Sequence, residues 1–91
     1  MKAKVLARRS EHAEAKRLAL EAVAIGEATD NLNMQGDANA DLAKVLLLAG
    51  KPDEAAAALG QALERYERKG NLVSALRTRA RLGEVQDEAP R

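Results

Sequence analysis

Apolar residues return along this chain at intervals of three and four, and no run alternates apolar with polar residues. That is the periodicity of helices laid on a core, not of strands. The clearest case is Ala55, Leu59, Ala62, Leu63 and Tyr66, which form one stripe of a helix spanning about 52–69. Its limits are written in Gly50-Lys51-Pro52-Asp53-Glu54 and in Gly70-Asn71. A glycine ends the preceding helix, a proline opens the next, and two acids suit the positive end of its dipole. An earlier helix is expected over about 11–29, with Ala15, Leu18, Ala19, Ala22, Val23 and Gly26 inward, and Thr29-Asp30-Asn31 ends it. Between the two lies a helix of about 33–49, buried along Leu42, Ala43, Val45, Leu46 and Ala49. A last helix over about 72–87 has Leu76, Ala80 and Gly83 as its expected contacts. A short first helix, about 2–9, looks like the end of a longer one, and Ser10 before Glu11 is placed to cap its successor. The tail at 88–91 reads as frayed.

The pattern repeats. Displaced by forty positions, Ala3-Lys4-Val5-Leu6 falls on Ala43-Lys44-Val45-Leu46, Glu14-Ala15 on Glu54-Ala55, and Asn31-Leu32 on Asn71-Leu72. Ala22 falls on Ala62, Glu27 on Glu67, Ala40 on Ala80, Leu42 on Leu82 and Val45 on Val85, with no gap. A fixed period of this length marks stacked helical hairpins.

The unit from Gly36 to about Lys69 resembles the tetratricopeptide repeat. Leu42-Ala43 stands at that family's Leu-Gly/Ala step, Leu46 at a usual aromatic position, Gly50 in the turn, and Asp53-Glu54-Ala55, Leu59 and Ala62-Leu63 along the second helix. Asn39 replaces the family's first aromatic residue and Glu67 its terminal proline, while the forty-residue period resembles the longer repeats at the C-terminal ends of large bacterial ATP-dependent regulators and cyclases. The resemblance implies an all-α fold of antiparallel helix–turn–helix repeats, a fragment of a right-handed solenoid, over the single domain 1–91. Small residues such as Ala43, Ala55 and Ala62 are expected where helix backbones approach closest.

Composition narrows the chemistry. The apolar share of 46% rests on Ala and Leu, with no Phe or Trp and one Tyr. Without cysteine there is no disulfide framework, thiolate metal site or cysteine nucleophile. The first uninterrupted apolar stretch, Val5-Leu6-Ala7, is too short for a signal peptide core or a membrane span, so a cytoplasmic protein is the expectation. Net charge is +1 but unevenly spread: +4 over 1–17, −6 over 18–64, +5 over 65–81 and −2 over 82–91. Such blocks suit solvated helix faces, or meeting faces of neighbouring copies.

An enzyme is not expected. His12 is the one histidine and sits where the other repeat has Pro52, which reads as a first-turn surface position rather than part of a metal site. Ser10 and Ser74 lack a histidine partner, the glycines are spread singly rather than in a phosphate loop, and no cofactor is implied. Tyr66 reads as a core or groove residue whose hydroxyl reaches water. Arg77 and Arg81 share a helix face and Arg79 points away, but without aromatics or overall basic charge the segment does not suggest nucleic-acid binding.

The expected function is a scaffold that holds a peptide or neighbouring domain. The resemblance carries groove positions onto Lys4, Arg8, Asp37, Ala40, Lys44, Leu47, Leu48, Arg77, Ala80 and Glu84. The family's carboxylate clamp is not reproduced, because Ala40 and Ala80 stand where basic residues would be needed. The alternative is self-assembly into a homodimer, with Leu72-Val73-Leu76 covered against a second copy, since repeat arrays expose apolar ends.

Overall fold

In the computed structural model the backbone is described for residues 2–88 and side chains for residues 11–87. Four helices follow one another: α1 (Lys2–Glu27), α2 (Leu32–Leu48), α3 (Pro52–Lys69) and α4 (Leu72–Glu88). No strand occurs among the described residues. Short turns force each helix to run against the last, and each packs on its chain neighbour, so α2 and α4 run parallel with α3 against both. This is an all-α array of helical hairpins.

The punctuation repeats as the sequence does. Asn31 accepts a hydrogen bond from the Met34 amide at 3.0 Å, and Asn71, forty residues on, accepts one from the Ser74 amide at 3.2 Å. Each thereby satisfies an otherwise orphaned donor at a helix start. At the other ends Gly50 and Gly70 take the left-handed conformation, with φ of +75° and +82°. Lys51 N donates to Leu46 O and Gly50 N to Leu47 O; Asn71 N donates to Tyr66 O and Gly70 N to Glu67 O. Both are Schellman endings, which only glycine enters without a Cβ penalty. Pro52, Asp53 and Glu54 open α3, and Arg68 and Lys69 close it, in keeping with its dipole.

The break expected between two helices near Ser10 is absent: α1 runs through it without interruption. The reason lies in the other repeat. Ser10 and His12 occupy the positions of Gly50 and Pro52, so the first turn has neither a residue suited to left-handed backbone nor one that ends a hydrogen-bond ladder. A cap worth about 1 kcal/mol does not offset the bonds that continuation retains. His12 is accordingly a half-buried residue inside α1, not a first-turn residue.

The core is small and rich in alanine. One cluster joins Leu42, Ala43 and Leu46 of α2, Ala55, Ala58 and Leu59 of α3, and Val85 of α4; Ala19 and Val23 of α1 pack against it. A second joins Ala62, Tyr66 and Ala75. Val45 and Ala49 are half-buried at the margin. Two expected faces shift. On α1, Leu18 and Ala22 point out to solvent, because only α2 covers this helix. On α4 the contacts are Ala75, Thr78, Leu82 and Val85, while Leu76 and Ala80 are exposed and Gly83 meets nothing within 4 Å. Thr78 fills an apolar position by turning its hydroxyl to Ser74 O at 2.7 Å.

Candidate binding groove

Because α2 and α4 stand side by side with α3 behind them, a groove of about 830 Å³ opens between them. Its α2 wall carries Asp37, Ala40, Asp41, Lys44 and Leu47; its α4 wall carries Ser74, Arg77, Ala80, Arg81 and Glu84. Ala43, Leu59, Tyr66 and Thr78 form the floor. Of the residues expected to line a groove, Asp37, Ala40, Lys44, Leu47, Arg77, Ala80 and Glu84 come together here. Leu48 does not: it is 74% exposed and lies outside the lining, one helical step past Leu47. The side chains of Lys4 and Arg8 lie outside the described residues.

The forty-residue period sets the walls opposite one another. Asp37 corresponds to Arg77, Asp41 to Arg81, Lys44 to Glu84, and Ala40 to Ala80. Each charged position on α2 therefore has the opposite sign at the equivalent height on α4, and the small residues Ala40 and Ala80 stand between them. No ion pair spans the groove among the described residues; Arg81 instead pairs along its own helix with Glu84 at 3.3 Å. Sequence reasoning that tracks one helix at a time sees Arg77 and Arg81 as a basic patch. The parallel placement of α2 beside α4 makes them half of a charge-balanced cleft.

Tyr66 anchors the floor. It is 4% exposed, and its hydroxyl donates to the Asp37 carboxylate rather than reaching water as expected. Burial pushes its ionisation well above the ordinary tyrosine range, and the hydrogen bond and charge of Asp37 add to this, with Arg77 opposing. The ring lies against Gly36. A Cβ on Gly36 would stand 2.6 Å from Tyr66 Cε1 and 2.9 Å from Cδ1 and Cζ, so only glycine fits beneath it.

A polar strut holds α2 in place beside this floor. Buried Gln35 donates from Nε2 to Thr29 O at 2.8 Å and accepts at Oε1 from Arg65 Nε at 2.9 Å, linking α3 to the turn after α1. Buried Asn39 donates to Gln35 O at 2.9 Å. Asn71 Nδ2 reaches Asn33 Oδ1 at 3.1 Å, tying the start of α4 to the start of α2. Comparison with protein-family models, curated proteins and solved structures gives no match for this chain. Arg79, on the far side of α4 from the groove, pairs with Glu67 of α3. Among the described residues, no three His, Cys, Asp or Glu side chains are grouped to hold a metal ion. Nor is any described helix long and apolar enough to cross a membrane.

Proposed function

We propose that the chain is a non-catalytic protein-interaction module of the tetratricopeptide kind, which grips a peptide or a segment of a neighbouring domain between α2 and α4. One observation carries this reading: the groove has walls of opposite charge at matching heights, none paired across it, above a floor fixed by Tyr66. Open charged walls discriminate among partners and steer their approach, whereas the apolar floor contributes burial. A fitting ligand is an extended segment with acidic side chains toward Arg77 and Arg81 and basic ones toward Asp37 and Asp41. Its side chains over Ala40 and Ala80 have room for bulk. The balanced charge argues for a peptide over nucleic acid, which favours basic grooves with aromatic platforms. A chain without cysteine suits the cytoplasm.

The test is selection of peptides from a random library on the parent domain, followed by affinity measurement with R77E/R81E and with R79E, whose side chain lies off the groove. Selected peptides should be enriched in acidic residues at a fixed spacing. R77E/R81E should bind them at least tenfold more weakly, a loss of about 1.4 kcal/mol or more, while R79E binds as the parent does. Equal binding by all three proteins would show that the groove is not the site.

A further inference from the structure

The two outer helices each present an apolar face that no neighbour covers. On α1, Leu18 and Ile25 are 52% and 60% exposed, with exposed Ala22 between them; on α4, Leu72 and Leu76 are 70% and 65% exposed. The forty-residue register identifies what each face matches. Forty residues before Leu72 and Leu76 stand Leu32 and Gly36 on α2, and Gly36 is the residue pressed against Tyr66 of α3. Forty residues after Leu18, Ala22 and Ile25 stand Ala58, Ala62 and Arg65 on α3. Ala58 and Ala62 are buried, and Arg65 is bonded to Gln35 of α2. The open face of α4 thus corresponds to the side of α2 that meets α3, and the open face of α1 to the side of α3 that meets α2. They are the two halves of an interface that the chain already forms once.

We propose that copies of this chain associate head to tail, with α4 of one copy docking on α1 of the next as α2 docks on α3. A further feature, the pattern of charge, fits a second copy as the occupant. Such docking brings α2 of the next copy beside α4 at the same register. Arg77, Arg81 and Glu84 would then stand opposite the next copy's Asp37, Asp41 and Lys44, the same opposition of sign found within one chain. The contact joins different surfaces, so copies add in a row instead of closing as a two-fold pair. This inference goes beyond the proposed groove ligand and does not depend on there being one.

Sedimentation equilibrium on the parent, on L76E and on I25E separates this from other arrangements. Both substituted side chains are exposed, so far-UV circular dichroism should show all three proteins equally helical. The parent should rise in average mass with concentration, past that of a dimer. Each variant alone should be monomeric, since one of its two faces is blocked. An equimolar mixture of the variants should form dimers, joining the intact α1 face of L76E to the intact α4 face of I25E. A parent that stays monomeric to near-millimolar concentration overturns the proposal. So does either variant dimerising by itself, which would mean like faces meet, or a mixture that remains monomeric.

Discussion

At the scale of single residues, the contact between Gly36 and Tyr66 shows how a helix can require the residue it least favours. Glycine inside a helix costs about 0.5–1 kcal/mol relative to alanine. At Gly36 that cost is offset by the approach of the ring, which leaves no room for a methyl group. Gly36→Ala should therefore destabilise the domain by roughly 1–3 kcal/mol through overpacking, despite its better helix propensity. Gly60→Ala, where a Cβ meets nothing within 4 Å, should stabilise it by about 0.5–1 kcal/mol. Urea midpoints measure both, and opposite signs are expected from the same substitution. Tyr66 gives a second prediction. Its ionisation is raised in the folded state, so its contribution is complete below the ordinary tyrosine value of about 10 and is lost as pH climbs through and above it. Unfolding free energy should fall above about pH 10 more steeply for the parent than for Tyr66→Phe, at up to about 1.4 kcal/mol per pH unit of difference. Parallel pH profiles would show that the hydroxyl is not held in the folded protein as described.

At the scale of elements, the sequence was most legible where backbone geometry constrains the residue. Gly50, Gly70, Pro52 and the two Asn-Leu pairs mark helix ends, and the helices end there. Asn31→Ala should cost about 1 kcal/mol by thermal or chemical denaturation, and Asn71→Ala more, since it loses the bond to Asn33 as well as the cap. Legibility failed where the signal was a preference and not a constraint. Ser10 favours a cap but is tolerated within a helix, so α1 runs on. On α4 the apolar residues Leu72, Val73 and Leu76 outweigh the true contact face by eye, because that face carries Thr78 and the small Ala75. A stripe read from side-chain polarity alone turns toward Leu76. Thr78, whose hydroxyl is satisfied by its own helix, hides the real phase. The same blindness applies to Gln35 and Arg65, buried or half-buried polar residues whose partners are distant in sequence.

At the scale of the whole molecule, stability rests on α2 and α3, the two helices with packed neighbours on both sides. Ala43 and Ala62 are almost fully buried at close helix contacts, and Ala57 is exposed. Ala43→Leu and Ala62→Leu should each cost roughly 1–3 kcal/mol, whereas Ala57→Leu should stay within about 0.5 kcal/mol. Coincident denaturation midpoints for all three would contradict the pairing of α2 with α3. Most groove-wall positions came from the family resemblance, which carries them onto the first helix of each repeat. The groove's charge balance and its floor did not, since both depend on which helices lie beside one another. Tyr66, the only tyrosine, became a floor residue bonded to Asp37 only once α2 and α3 were set together.

That placement has an optical consequence. With no tryptophan in the chain, Tyr66 is its sole intrinsic fluorophore, and it sits at the bottom of the cleft with its phenol held by a carboxylate. Hydrogen bonding of a phenol to a carboxylate quenches tyrosine emission, so the folded, empty domain should be dim. Unfolding, which releases the hydroxyl to water, should brighten it. A segment entering the cleft as proposed and drawing Asp37 onto its own basic side chain would loosen the same bond, so occupancy should be readable from the protein's own emission without a label.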